Sequence, residues 1–200
     1  MYELFILGEL TAGSKHGYVL QDILKNAMGP FRQISAGTLY PLLTRLVRQG
    51  LIRQRPENGR AGARERKVYE ITDAGRARFR ALMESPLEYG AETELVFQCK
   101  LVYFRFVPKE VRLACLEQYL RFLRHNWKHV DDCEFLLNMQ LPEPEAQRVQ
   151  LLRVFDRRKR VIAADIAWVE NELERTRAEE EDGEANPGGE RQSRTTREGE

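Results

Sequence analysis

Hydrophobic residues recur at intervals of three and four over the first fifty positions, and this spacing predicts three short helices. The helices are expected at 2–10, 16–28 and 35–49. Their apolar stripes are Leu4, Ile6, Leu7 and Leu10, then Val19, Leu20, Ile23, Leu24 and Ala27, then Leu39, Leu42, Leu43 and Leu46. Gly29-Pro30 should end the second helix because proline cannot continue one, and Gly50 should stop the third.

Two short segments with partly alternating polarity follow, at 51–55 and 67–72. The stretch between them is rich in turn residues and contains Asn58-Gly59 and Gly62. This pattern is typical of a β-hairpin. Three helices followed by a hairpin predict a winged helix-turn-helix, in which the third helix enters the major groove of DNA.

After Ser85-Pro86 the pattern becomes helical over longer stretches, and we expect helices at 88–106, from Pro108 to about residue 138, and at 145–177. The last would be about 50 Å long at 1.5 Å per residue, longer than a domain of this size needs for its own core. The end of the chain is rich in Glu, Arg, Gly and Ser and shows no periodicity, which predicts a disordered acidic tail.

The predicted fold class is therefore mainly α with a small β-wing. A winged helix-turn-helix DNA-binding domain is expected at 1–86. A C-terminal helical dimerisation domain should follow at 87–178, and the tail at 179–200.

The third helix shows polar groups opposite its leucine stripe. Ser35, Thr38 and Arg45, with the amphipathic Tyr40, are expected to point outward. Ser35 is a suitable N-cap, and the positive end of the helix dipole would then lie near a phosphate. The pattern therefore predicts a helix that reads DNA.

The predicted hairpin is strongly basic. Its tip and margins contain Arg53, Arg55, Arg60, Arg64, Arg66 and Lys67. Arginines on a glycine-containing tip can reach a minor groove or follow phosphates. The alternative is that basic hairpin tips only keep a sheet edge soluble. The position beside a recognition helix favours DNA contact.

Over its first eighty residues the chain resembles the PadR family of transcriptional regulators. The matching motifs are Leu7-Gly8-Glu9-Leu10, His16-Gly17-Tyr18, Ser35-Ala36-Gly37-Thr38-Leu39-Tyr40-Pro41-Leu42-Leu43, Leu46, Gly50-Leu51-Ile52 and Tyr69-Glu70-Ile71-Thr72-Asp73-Ala74-Gly75. The resemblance implies a dimeric, usually repressing regulator whose C-terminal helices form the dimer and, in some members, a ligand cavity.

These arguments give the candidate DNA contacts, which are Lys15, His16, Ser35, Gly37, Thr38, Tyr40, Arg45, Arg60, Arg64 and Arg66. For His16 two roles remain open, a phosphate contact and a helix-start residue packed against the wing. Charge supports the assignment: residues 1–86 hold 14 Lys and Arg against 8 Asp and Glu, whereas the rest holds 18 against 23. A basic domain gains affinity by releasing counterions from DNA.

The last predicted helix carries an apolar stripe that a lone winged domain cannot cover. The residues expected to form a homodimer are Phe155, Ile162, Ile166, Val169 and Leu173. Four aromatic residues, Phe97, Tyr103, Trp127 and Trp168, are candidates for a cavity that binds a small aromatic effector. Ordinary core and dimer packing is the alternative for all four.

Other chemistry has little support in the sequence. His125, His129 and Cys133 share one helical stripe, but a straight helix offers at most two ligands to one tetrahedral zinc ion, so we predict no metal site. We find no nucleophile elbow, phosphate loop or HExxH motif, and expect neither catalysis nor a cofactor. The three cysteines and the absence of a signal or an 18-residue apolar run favour a reduced, cytoplasmic setting without a membrane span.

Two function classes remain. The first is a dimeric regulator, expected to be a repressor, that binds a double-stranded DNA operator and is released by an aromatic effector. The second is a winged-helix module that binds protein without specific DNA binding. The basic face formed by the third helix and the wing discriminates between them, because a protein-binding module would not need it.

Overall fold

The computed structural model describes residues 1–27, 35–57, 66–140 and 144–179. The elements in chain order are α1 (Tyr2–Thr11), β1 (Lys15–His16), α2 (Gly17–Ala27), α3 (Ala36–Arg48), β2 (Ile52–Glu57), β3 (Arg66–Ile71), α4 (Asp73–Glu84), α5 (Thr93–Val102), a short 3-10 helix (Phe104–Phe106), α6 (Lys109–Gln140) and α7 (Glu145–Ala178). The fold is mainly helical with a small sheet, as the sequence predicted.

The sheet has three antiparallel strands in the order β1-β3-β2. Strands β2 and β3 form the predicted hairpin, with Ile52 opposite Ile71 at its base. The predicted turn at 58–65 lies outside the described residues. Strand β1 was not predicted, because Lys15 and His16 are too short a segment to show alternation. It adds a third strand on the other side of β3.

Helix α3 buries the predicted leucines and ends where expected. Leu39, Leu43 and Leu46 are fully buried, whereas Leu42 is half-buried at the edge of the core. Gly50 has a φ of 70°, a left-handed conformation that glycine adopts without steric cost. The chain then turns directly into β2, so α3 and the wing are joined by a short connection.

Helix α4 was not predicted. Thr72 caps it by accepting a hydrogen bond from the Gly75 backbone N–H at 3.1 Å, and Thr72 also donates to the Gly50 carbonyl at 2.6 Å. Only Phe79, Met83 and Gly75 are buried along its length. The helix is dominated by exposed charged residues, so its apolar stripe is too thin for a periodicity argument to detect.

The expectation of one helix over 88–106 is wrong. Helix α5 begins at Thr93, whose hydroxyl donates to the Glu88 and Gly90 carbonyls at 2.8 and 2.9 Å. It ends at Val102, and the next turn is the 3-10 helix. Gly90 and the hydrogen-bonded loop around Thr93 prevent an earlier start, because the hydroxyl holds the backbone in a turn.

Helices α6 and α7 agree closely with the predicted ranges and pack antiparallel along their length. The start of α6 lies beside the end of α7, where Lys109 Nζ donates to the Arg177 carbonyl at 3.0 Å. Farther along, Lys159 Nζ lies 3.0 Å from Asp131 Oδ1. Val169 and Leu173 of α7 are buried within the same chain and belong to its continuous hydrophobic core, which extends back to Leu4.

In the described part of the chain, no helix is both long and apolar enough to cross a membrane.

Candidate nucleic-acid interface

The outward face of α3 consists of the residues that the sequence predicted. Ser35, Gly37, Thr38, Tyr40 and Arg45 are all exposed. Ser35 occupies the N-cap position, but its Oγ lies 3.1 Å from Thr38 Oγ1 and makes no capping bond within the described residues. The hydroxyl pair instead presents two neighbouring polar groups at the start of the helix, where the backbone N–H groups and the helix dipole favour an anion.

A cluster of aromatic rings flanks this face. Tyr40 is 44% exposed, and its ring lies against Gly17, where a Cβ atom would come within 3.0 Å of Tyr40 Cε1. Next to Gly17, the rings of His16 and Tyr18 stack with their centroids 5.3 Å apart. His16 Nδ1 lies 3.3 Å from the Lys67 carbonyl of the wing. The start of α2, the recognition helix and the wing therefore meet at one point on the surface.

Tyr18 is a candidate contact that the sequence reasoning missed. It is 51% exposed and directly follows Gly17, against which the Tyr40 ring lies. The signal was available, because Tyr18 precedes the buried stripe of α2 and so had to face away from the core. An exposed tyrosine offers a flat ring and a hydroxyl, which suits it to sugar, phosphate or base contact.

A groove beside α3 brings two arginines together. It lies between the start of α1 and α3 and is lined in part by Tyr2, Thr38, Arg45 and Arg48. Arg48 was not among the predicted contacts, although it lies three residues beyond Arg45 and so on the same side of the helix. Glu3 also lines the groove, but its carboxylate pairs with Arg78 at 2.7 Å. Two exposed guanidinium groups and a hydroxyl therefore remain to attract phosphate.

The wing carries exposed arginines that share one acceptor. Arg53 Nε and Arg55 Nε lie 2.7 and 3.0 Å from the same Glu70 oxygen. Both side chains remain more than half exposed, so their other N–H groups face solvent. Among the predicted wing contacts, Arg66 is the first residue of β3, whereas Arg60 and Arg64 lie outside the described residues.

Lys15 differs from the other predicted contacts. Its Nζ donates to the Glu9 carbonyl at 2.8 Å and lies 3.7 Å from the Glu9 carboxylate. The lysine side chain is only 18% exposed. The ammonium group is therefore directed toward α1.

The four aromatic residues predicted to line an effector cavity are not brought together in the chain. Tyr103 packs edge-on against Phe79 in the core, and Lys159 Nζ lies 5.6 Å above the ring of Trp127 on the α6–α7 surface. Only Phe97 and Trp168 are neighbours, with their centroids 6.4 Å apart. The hydrophobic periodicity predicted that all four lie on helical faces, but it could not show that these faces pack against different parts of the chain.

The five residues predicted to form a dimer differ in how far they are buried within the chain itself. Val169 and Leu173 are buried against the same chain, because they face α6. Ile162 and Ile166 are half-buried against the core, and Phe155 is half-buried. The apolar side chains that α7 exposes are instead Val149, Val154, Val161 and Trp168.

The cysteines and histidines of the helical part stay apart from this surface. Cys133 Sγ lies 3.8 Å from His129 Nε2. Within the ranges that the structure describes, no three potential ligands gather as a metal site would require. Burial raises the pKa of Cys99 to about 12 and that of Cys115 to about 11, so both are thiols at neutral pH.

The fold and this face define a winged-helix, DNA-binding class of protein. Residues 6–81 match the family described as "Transcriptional regulator PadR-like family". A comparison with curated proteins found no match.

Among solved structures, the chain is similar to Bacillus subtilis PadR in complex with operator DNA, at 19% identity over 87% of this chain and 98% of that chain, with a TM-score of 0.41. It is similar to the same protein in complex with p-coumaric acid, at 18% identity over 88% and 98%, with a TM-score of 0.37. A third is the PadR-like regulator BC1756 from Bacillus cereus, at 19% identity over 90% and 100%, with a TM-score of 0.37.

Residues 6–81, which run from α1 into α4, therefore form a PadR-like domain.

Proposed function

We propose that this regulator binds a two-fold-related operator in double-stranded DNA as a homodimer and represses transcription there. The observation that carries the proposal is the continuous exposed face of α3, the His16–Tyr18 stack and the wing. Tyrosine, threonine and arginine side chains on such a face suit base and phosphate contact. A bound dimer over a promoter would exclude polymerase.

Arg45 and Arg48 supply the clearest test of DNA binding. A side chain that neutralises a phosphate contributes about 1 to the slope of log affinity against log salt. We expect Arg45→Gln and Arg48→Gln each to weaken binding to the chain's own upstream DNA and to flatten this slope by about 1. Arg153→Gln, an exposed arginine on α7, is the matched control and should leave the slope unchanged. Footprinting locates the operator, and a promoter fusion gives the sign of regulation.

If the wild-type chain leaves its upstream DNA unprotected, and Arg45→Gln and Arg153→Gln have equal slopes, the DNA-binding proposal fails. The interpretation as a protein-binding module would then take its place.

The homodimer is supported by the apolar surface of α7. Val154, Val161 and Trp168 are spaced by seven residues and are each more than 40% exposed. Residues at this spacing lie along one side of a helix, and a stripe of this kind is typical of a helix that packs against a partner. Dimerisation through α7 would place two recognition helices and two wings for two half-sites.

We also propose that a small aromatic effector releases the protein from its operator. The support is the neighbouring pair of Phe97 and Trp168, since Trp168 remains 44% exposed. A planar compound stacked on the Trp168 ring would lie on α7, next to the buried Phe97 of α5. A coupling of about 1–3 kcal/mol would change operator affinity roughly 5- to 150-fold. Titration of planar phenolic compounds, followed by tryptophan fluorescence and operator release, tests it against Trp168→Leu.

A further inference from the structure

A chain of polar contacts inside the protein begins at Lys15, the basic residue whose ammonium group faces α1. The amino group donates to the Glu9 carbonyl at 2.8 Å and pairs with the Glu9 carboxylate at 3.7 Å. The Glu9 side chain is 14% exposed. An ion pair with this degree of burial holds its geometry better than one on the open surface, where solvent screens the attraction.

The same carboxylate accepts a hydrogen bond from the other side, where Tyr103 lies. Tyr103 OH lies 3.0 Å from Glu9 Oε1 and 3.1 Å from the Phe5 carbonyl. Tyr103 directly follows α5, and burial, with the Glu9 charge next, raises the pKa of its hydroxyl. The hydroxyl is therefore a neutral donor at physiological pH, and it satisfies a carboxylate oxygen that is largely withdrawn from water.

The position of the Tyr103 ring is set by the residues packed around it. A Cβ atom on Gly8 would come within 2.6 Å of the ring, so the absence of a side chain at position 8 lets the ring rest directly on α1. Phe5 and Phe79 contact the ring edge-on, with centroids 6.2 and 6.0 Å away. The tyrosine hydroxyl is thus held in register with Glu9 by packing.

The other end of the contact chain is the wing. Lys15 is half of strand β1 and pairs with Tyr69 of β3, while His16 pairs with Val68. His16 also stacks on Tyr18 within the aromatic cluster of the candidate interface. A shift of Lys15 would therefore move β3 and the start of α2 relative to α3.

We propose that Lys15, Glu9 and Tyr103 are positioning residues for DNA binding, which hold strand β1 and the wing in place from the helical part of the chain. In this role Lys15 connects β1 to α1 and does not contact phosphate. We call the contacts among Lys15, Glu9 and Tyr103 the tether. This inference rests on the proposed function, because it assigns how the DNA-binding face is held.

The variant Glu9→Gln distinguishes a positioning role from a purely electrostatic one, because the two roles change the affinity for operator DNA in opposite directions. Removing a negative charge from a DNA-binding domain should tighten binding to all DNA if charge alone matters. We expect the variant instead to weaken operator binding about threefold to tenfold, the size of one lost contact, while binding to non-specific DNA is not weakened. Glu84→Gln is the matched control, since Glu84 is an exposed carboxylate on α4, outside the candidate interface.

The operator preference is the ratio of the affinity for operator to the affinity for non-specific DNA. The tether is overturned if this ratio is the same in Glu9→Gln as in Glu84→Gln. Lys15→Met provides a second comparison. If Lys15 belongs to the tether, Lys15→Met should lower operator affinity and leave the slope of log affinity against log salt unchanged. Lys67 is an exposed residue of β3, and Lys67→Met should flatten this slope by about 1. An equal flattening in both variants would make Lys15 a phosphate contact and overturn the inference.

Tyr103→Phe removes one hydroxyl and no charge, at a buried position. We expect faster amide hydrogen exchange in β1 and β3 of the free protein and a lower operator preference. Both changes should also occur in Glu9→Gln and be absent in Glu84→Gln. The exchange measurement needs no DNA, so it distinguishes failure of the tether from failure of the proposed function. Exchange in β1 and β3 at the wild-type rate in folded Tyr103→Phe would refute the tether even if operator binding is confirmed.

Discussion

At the scale of single residues, the candidate interface depends on small side chains as much as on the polar ones. Gly17 lies where α2 begins and lets Tyr40 and Tyr69 approach, with virtual Cβ distances of 3.0 and 3.4 Å. Tyr40 can therefore lie beside the His16–Tyr18 stack. The sequence identified Tyr40 as outward-facing but not the glycine that supports its ring, because the two are separated by twenty-three residues.

Gly17→Ala should displace the Tyr40 ring by a few tenths of an ångström. We expect operator affinity to fall roughly threefold to tenfold, the loss associated with one weakened contact. Thermal stability should change little, since the added methyl group meets only side-chain atoms, at 3.0 Å and beyond. Gly90→Ala, where the added atom meets nothing within 4 Å, is the control. Wild-type affinity in Gly17→Ala would argue against a precise role for the Tyr40 ring.

Tyr40→Ala tests the ring itself. Tyr40 is exposed, so its loss should leave the unfolding temperature within a few degrees of wild type while operator binding weakens. Fluorescence anisotropy with operator DNA measures the affinity, and Tyr89→Ala, an exposed tyrosine remote from the interface, provides the comparison. Equal affinities in the two variants would remove Tyr40 from the site.

The cysteines permit a test of burial that needs no DNA. The pKa values of about 12 and about 11 lie above the assay pH, so at pH 8 Cys99 and Cys115 remain protonated as well as buried. Cys133 is partly exposed. We expect a thiol reagent to modify one cysteine rapidly in each native chain and all three after denaturation. The rapid reaction should be absent in Cys133→Ser. Rapid labelling of Cys99 in the native protein would contradict the packing of α5 against α6.

At the scale of elements, the cap of α4 connects the wing to the helical part. Thr72 accepts from the Gly75 N–H and donates to the carbonyls of Gly50 and Leu51, so one side chain joins the end of β3, the turn after α3 and the start of α4. Gly75 is required at the same junction, because a Cβ atom there would lie 2.0 Å from the Leu51 carbonyl oxygen.

Thr72→Ala should destabilise the protein by about 1 kcal/mol, within the usual range of about 0.5–2 kcal/mol for a lost N-cap. Thr44→Ala is the control, since Thr44 is exposed and its hydroxyl donates to the Tyr40 carbonyl of its own helix. Urea unfolding followed by circular dichroism gives both values. Equal midpoints for the two variants would show that the cap adds no stability.

The elements that sequence periodicity predicted are those with wide apolar stripes. Helices α1, α3, α6 and α7 follow from spacing alone, because each buries a continuous face. Helix α4 shows only a narrow stripe, and the region before Thr93 is shaped by a hydroxyl bonding to two carbonyls. Local spacing cannot reveal either, since the deciding contacts come from the polar backbone and from distant residues.

At the scale of the whole molecule, the exposed stripe on α7 determines how two copies would meet. Val154→Glu combined with Val161→Glu should yield a monomer with weakened operator binding, because two charges per chain would face an apolar interface. Both positions are about half exposed, so the chain itself should remain folded. Ala163→Glu is the control, because Ala163 is exposed on the opposite side of α7 from Val154 and Val161, and sedimentation gives the oligomeric state. A double variant that stays dimeric would place the interface elsewhere.

The sequence by itself determined the helical stripes, the hairpin, the outward side of α3 and the basic character of residues 1–86. These depend on neighbours within one or two helical turns, or on counting charges. Only the tertiary structure decided that Lys15 turns to Glu9, that Val169 and Leu173 face their own chain and that Phe97 and Tyr103 point to different partners. The contact between Tyr103 and Glu9 joins residues 94 positions apart. Contacts at that separation depend on how helices pack, which no local spacing of residues specifies.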